Sequence, residues 1–173
     1  QKDIRIWCAG CSSGEEPYTL AMLLLEHLGN ESGSWDAGIL ATDISTRVLE
    51  KAMNGIYETD NVSRLPASLK HAYFERLDGD QWSVSDKVRK LILFRKLNLM
   101  REEYPFKRRF HMIFCRNVMI YFDTPTRMGL ISRFHRYMEP GGYLFIGHSE
   151  SLGRSNELFR YLKPAVYRKG DER

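Results

Sequence analysis

The pattern of apolar and polar positions divides the chain into strands and helices that take turns. Residues 4–9 (IRIWCA) are a short apolar run closed by Gly10, the pattern of a buried strand. Pro17, Leu20, Ala21, Leu24, Leu25 and Leu28 then recur at helical spacing, with Pro17 suited to the first turn and Gly29 to the stop. Residues 38–42 predict a second strand ending at Asp43. Ser45 or Thr46 can cap the next helix, which carries Val48, Leu49, Ala52 and Met53 and stops at Gly55. Residues 66–73 read as helix, and Asp78-Gly79-Asp80 as a turn between two short alternating segments, 73–77 and 81–84. A third major strand is expected over 90–97, ending at Asn98, and a fourth over 110–115, with Asn117 just past its end. An amphipathic helix over 126–138 is closed by Pro140-Gly141-Gly142, ahead of a fifth strand over 143–147. A terminal hairpin is expected from 159–162 and 165–168. The first, second, fourth and fifth strands alternate with helices, which predicts an α/β fold with a parallel sheet.

In such sheets ligands bind outside the carboxyl ends of the strands. Four polar landmarks sit at four such ends: the stretch from Gly10 to Glu16, Asp43, Asn98, and Arg116-Asn117. The first of them lies in CAGCSSGEEPY (residues 8–18), which three motifs claim at once. As G-x-S-x-G it is a hydrolase nucleophile elbow, but that serine follows a mid-sheet strand with several strands upstream, and only seven residues precede Cys8. As C-x-x-C it is a redox or zinc site. Redox pairs sit at a helix N-terminus, whereas Cys8 belongs inside the strand, and no second C-x-x-C or close Cys/His cluster completes a zinc site. Cys8 and Cys115 fit better as small apolar strand residues. The glycine-loop reading agrees with the positions of the other three landmarks.

Composition narrows the ligand and the setting. The 173 residues make one domain, with 43% hydrophobic and 28% charged residues, as in ordinary soluble proteins. The longest apolar runs, such as 20–25, are far too short to span a bilayer, no secretory signal pattern opens the chain, and three cysteines fit reduced thiols. No membrane insertion, a cytoplasmic location and a monomeric state are therefore expected. The net charge of +4 is concentrated between Lys87 and Arg109, which suits nucleic acid, an acidic protein or a merely solvated surface. The loop lacks the G-x-G-x-x-G of dinucleotide sites and puts Glu15 and Glu16 at the helix start, where they repel phosphate. They also compensate the helix dipole. An adenosine without phosphates that carries an ammonium and a sulfonium matches that field. S-adenosylmethionine is such a ligand, with Asp43 placed for its ribose hydroxyls.

On these residues the chain resembles the C-terminal catalytic domain of CheR-type chemotaxis receptor methyltransferases. The matching segments are IWCAGCSSGEEPY (6–18), ATDISTRVLEKAMNGIY (41–57), Asn98-Leu99, IFCRNVMIYFD (113–123) and GGYLFIGHSESL (141–152). The resemblance implies a Rossmann-like S-adenosylmethionine-dependent methyltransferase fold over 1–173, with a small antiparallel β-subdomain inserted at about 73–94. It implies methyl transfer from S-adenosylmethionine to glutamate side chains in the cytoplasmic region of methyl-accepting chemoreceptors. Gly10, Glu16, Asp43, Asn98, Leu99, Arg116 and Asn117 would hold the cofactor, and Tyr121 and Arg116 would serve the transfer. Family members usually carry an N-terminal helical domain, and the chain starts almost at the first strand. Lys87, Arg89 and Lys90 are expected on the inserted sheet, facing an acidic partner. Two rivals are a nucleic-acid methyltransferase, which the thin supply of stacking aromatics (Trp82 and Phe94) speaks against, and a module that binds cofactor or receptor without turnover.

Overall fold

The computed structural model of the chain describes residues 2–153 and 156–171. Gln1, Arg154, Ser155, Glu172 and Arg173, all inside the domain read as 1–173, lie outside the described residues. In chain order the elements are β1 (Asp3–Ala9), α1 (Glu15–Leu28), a 3-10 turn (Gly29–Ser34), β2 (Asp36–Asp43), α2 (Thr46–Asn54), β3 (Ile56–Glu58), α3 (Thr59–Val62), α4 (Ala67–Tyr73), β4 (Phe74–Arg76), β5 (Gln81–Val84) and α5 (Asp86–Arg89). They continue with β6 (Ile92–Lys96), β7 (Phe110–Cys115), a 3-10 turn (Met119–Tyr121), α6 (Thr124–Arg136), β8 (Met138–Ile146), β9 (Phe159–Lys163) and β10 (Val166–Lys169).

The main sheet has the order β6-β2-β1-β7-β8-β10-β9. Its first five strands are parallel, and β10 runs antiparallel to both neighbours. Strand β1 shows why residues 6–9 are apolar without a break. Ile6 and Cys8 point into a core with Tyr18, Ala21 and Met22 of α1, while Trp7 and Ala9 point into the opposite core with Leu130, Ile131 and Phe134 of α6. Trp7 is fully buried, with ring centroids of Tyr104, Phe106, Phe110 and Phe134 4.9–5.6 Å away, and its indole N–H donates to Thr42 Oγ1 at 2.9 Å. The connection over 97–109 thus covers the sheet with aromatic side chains where this fold elsewhere uses helices. No helix among the described residues is long and apolar enough to cross a membrane.

The structure departs from three sequence expectations. First, the small antiparallel sheet has the order β3-β5-β4, so it starts at Ile56, well before residue 73, and Ile92–Phe94 of the expected 73–94 insert belong to the main sheet beside β2. Strand β3 is three residues long, too short to show a period of two, and is made by pairing with β5. Second, Pro140-Gly141-Gly142 does not follow a helix but lies inside β8. A Cβ at Gly142 would stand 2.6 Å from Met138 Cγ and 3.0 Å from the His111 carbonyl, so the glycine fits a register shift against β7. Third, Lys87 and Arg89 lie on α5 and are engaged within the fold. The Lys87 ammonium sits 4.4 Å from the Tyr73 ring centre, and Arg89 donates to the carbonyls of Met53 and Asn54 at 2.8 Å, capping α2.

Candidate active site

The order of the main sheet reverses between β1 and β7, and the loops after these two strands face each other there. After β1, the amides of Gly10 and Cys11 both donate to the Thr42 carbonyl at 2.8 Å. Gly10 has φ +91°, and a Cβ there would stand 2.6 Å from Val118 Cγ2, so this close approach of the two loops admits only glycine. Ser12 has φ +49°, and its amide donates to Asp43 Oδ2 at 2.9 Å, while Asp43 Oδ1 accepts the Ser45 amide at 3.0 Å. The carboxylate at the end of β2 therefore fastens the loop after β1 to the start of α2. From the small sheet, the Tyr57 hydroxyl donates to the Ser13 carbonyl at 2.7 Å.

The loop after β7 is held by a residue whose role sequence reasoning left undefined. Glu150 Oε2 accepts the amides of Asn117 at 3.0 Å and Gly147 at 2.5 Å, and Oε1 accepts that of Ile120 at 3.2 Å. One carboxylate so ties the loop after β8 to the loop after β7 and stabilises Asn117 at φ +58°. A Cβ at Gly147 would lie 2.3 Å from Asn117 Oδ1, which explains the glycine before His148. The signal in the sequence was the GHSE string itself, with a carboxylate three residues after a strand-ending glycine.

Between the loops lies a cleft of about 560 Å3, the size of a small-molecule site. Gly10, Asp43, Asn98, Leu99, Arg116, Asn117 and Tyr121 all line it, with Ser12, Ile44, Leu97, Met100, Val118 and Phe122. Tyr121 is 80% exposed at its mouth, which removes it from the core. Asn98 folds its side chain into its own turn, Oδ1 accepting the Met100 amide at 2.9 Å. Glu16 is not among the lining residues. Its Oε2 pairs with Arg116 Nη1 at 3.1 Å, so it meets the cleft through that guanidinium. Burial pushes the Glu16 carboxyl above the ordinary range, and Arg116 opposes the shift by hydrogen bond and charge.

The competing motif readings meet no supporting geometry. Among the described residues no hydrogen bond joins Ser12, the serine of the elbow pattern, to a histidine, and its amide is held by Asp43. All three cysteines are buried free thiols. Burial raises Cys8 and Cys115 well above the ordinary value, and burial first, then the Asp43 charge, pushes Cys11 up to about 12. Among the described residues no group of three His, Cys, Asp or Glu side chains is placed to hold a metal. Replacing Cys8 and Cys11 together by Ala is expected to cost about 1 kcal/mol per site from lost packing and to leave S-adenosylhomocysteine affinity in place. Elemental analysis of the purified protein should find zinc far below one equivalent. Stoichiometric zinc, or loss of binding on mild oxidation that thiol reverses, contradicts this assignment.

Over residues 1–168 the sequence matches the family described as CheR methyltransferase, SAM binding domain. It is 49% identical over 167 residues to a chemotaxis protein methyltransferase of Borreliella burgdorferi, covering 96% of this chain and 59% of that relative. With the chemotaxis protein methyltransferase of Escherichia coli K12 it shares 39% identity over 168 residues, 95% of this chain and 58% of that one. The chain thus spans less than two thirds of the length of these relatives. Among solved structures, the glycopeptide N-methyltransferase MtfA complexed with S-adenosylmethionine superposes with a TM-score of 0.52 at 17% identity, over 91% of this chain and 49% of that one, a likeness of fold.

Proposed function

The chain belongs to the CheR methyltransferase family, and on that premise we propose that it forms the cofactor-binding and catalytic part of an enzyme that methylates glutamate side chains of bacterial chemoreceptors. The observation that carries this reading is the cleft at the reversal of the sheet. Its walls Ile44, Leu97, Leu99, Val118 and Phe122 offer flat apolar surface to an adenine ring. Both Asp43 oxygens, each bonded to one amide, keep a second lone pair for ribose hydroxyls. No phosphate is invited, because Glu15 and Glu16 occupy the start of α1. Asn98, Arg116 and Asn117 close around the methionyl end, with Glu16 fixing the Arg116 guanidinium at the rim.

S-adenosylmethionine supplies an electrophilic methyl on a sulfonium, so a carboxylate oxygen gains the methyl as the sulfur–carbon bond breaks. The protein's task is to hold the acceptor in line, an effect worth up to about 7–11 kcal/mol. A glutamate with a pKa near ~4.3 arrives ionised at neutral pH, so no general base is required. In this reading Tyr121, which lines the cleft and is exposed at its mouth, donates its hydroxyl to that carboxylate. The nucleic-acid alternative loses support because two arginines of the basic stretch are engaged internally, Arg89 as above and Arg108 with Asp3 and Asp36.

The test uses the full-length protein, methyl-labelled cofactor and a receptor cytoplasmic fragment. Label released from the receptor by mild base is expected. Tyr121→Phe should lower kcat about ten- to a hundredfold, the equivalent of one lost hydrogen bond to a charged group at about 1.5–3 kcal/mol, with S-adenosylhomocysteine affinity unchanged. Label on RNA, or bound cofactor with no methylated product, rejects the proposal.

A further inference from the structure

Helix α6 covers the Trp7 face of the main sheet over β7 and β8, but over β2 and the edge strand β6 the same face is open beside the connection 97–109. Two adjoining hollows of about 470 and 380 Å3 lie there and share Arg5, Leu40, Leu93 and Phe110. The larger one also shares Leu97 with the cofactor cleft, so the two hollows form a track along β6 whose upper end borders the cleft at that residue. Its floor is apolar, and Leu93 in the middle of it is 50% exposed.

The rim is cationic and uncompensated. Arg95, Lys96 and Lys107 line the larger hollow, and none is ion-paired among the described residues. Arg5 and Arg108, beside them, are neutralised by Asp3, Asp36 and Glu139. No carboxylate lines the larger hollow, and the one lining the smaller, Asp36, is the partner of Arg108. An apolar floor at Leu40 and Leu93, with Arg95 and Lys96 toward the cleft at the end of β6 and Lys107 toward the amino ends of the strands, none of them ion-paired among the described residues, fits an amphipathic segment whose polar face is acidic.

We propose that this track docks the methyl acceptor: an acidic amphipathic segment whose apolar side chains rest on Leu40 and Leu93 and whose carboxylates meet Arg95, Lys96 and Lys107. The inference rests on the reading given under Proposed function. Because Leu97 belongs to both track and cleft, a segment lying here brings a neighbouring glutamate to the opening beside Tyr121. The floor is largely aliphatic and Phe106 is wedged against Trp7, so stacking with nucleobases is not what the surface offers.

The test is Leu93→Asn combined with Arg95→Glu and Lys107→Glu in the full-length protein, with Lys107→Glu alone as the variant least able to disturb folding. At low salt the receptor KM of the triple variant should rise about tenfold and that of the single variant about threefold, both shrinking as salt screens the charges. Both kcat and S-adenosylhomocysteine Kd should stay at wild-type values. An unchanged KM in a folded triple variant overturns the proposal. So does a shift in oligomeric state or a loss of RNA binding as the only effect, since these assign the track to a second copy or to nucleic acid. If wild-type protein forms no ester on receptor, the function has failed separately. The track is then read by anisotropy of a labelled Leu/Glu amphipathic peptide and its Gln-for-Glu counterpart. Salt-sensitive binding of the first alone supports docking, and equal or absent binding overturns it.

Discussion

Replacing Asp43 by Ala should abolish tight binding of S-adenosylhomocysteine, by two routes that add. In the proposed binding mode the carboxylate offers its free lone pairs to the ribose hydroxyls, and hydrogen bonds to a charged group are worth about 1.5–3 kcal/mol, roughly ten- to a hundredfold in Kd. The same two oxygens hold the amides of Ser12 and Ser45 at 2.9 and 3.0 Å. Without them Ser12 has no partner to offset its φ of +49°, and the loop that lines the cleft with Gly10 and Ser12 loosens. Asp43→Asn separates the two routes. Its single side-chain oxygen satisfies one amide, and its NH2 opposes the other, so an intermediate loss is expected. Calorimetric titration of wild type, Asn and Ala variants should give that order. Wild-type affinity in a folded Ala variant would remove Asp43 from the site.

The strand ends were legible because hydrophobic runs closed by a polar residue or glycine are local signals. Gly10, Asp43, Asn98 and Arg116-Asn117 each follow such a run, and a parallel sheet brings its carboxyl ends together whatever the detailed order. Features created by pairing were not legible. Strand β3 is too short to show a period, and the insertion of β10 between β8 and β9 depends on which edge the terminal hairpin reaches. Charge was the least legible. Arg89 looked like a surface cation and caps α2 across 35 positions of sequence, whereas Arg95, Lys96 and Lys107, indistinguishable from it in composition, remain on an open rim. Glu16 is not among the residues that line the cleft and meets it through its ion pair with Arg116, a contact across 100 positions of sequence that no local pattern signals.

Glu150 decides whether the two walls of the cleft keep their spacing, and Glu150→Gln, equal in size, tests that directly. The carboxylate has only acceptors and serves three donors, the amides of Asn117, Ile120 and Gly147. The glutamine amide can accept at one atom only, so its NH2 must face at least one backbone N–H. Leaving a donor unsatisfied costs about 1–3 kcal/mol, and for a chain of this length that lowers the midpoint of thermal unfolding by about 2–4 °C per kcal/mol. Function should suffer more than stability. Asn117 is held at φ +58° by this contact, and its loop carries Arg116 and Tyr121 on the same few residues. Once released it is free to leave the left-handed region, which takes both side chains out of register with the loop of Gly10. A fall of at least tenfold in kcat, the equivalent of about 1.4 kcal/mol, is expected with a modest loss of S-adenosylhomocysteine affinity. In amide-resolved spectra the signals of Asn117, Ile120 and Gly147 should move upfield and exchange faster, while those of β1 and α1 stay in place. Unmoved signals with wild-type kcat would mean that the loops after β7 and β8 keep their geometry without the carboxylate.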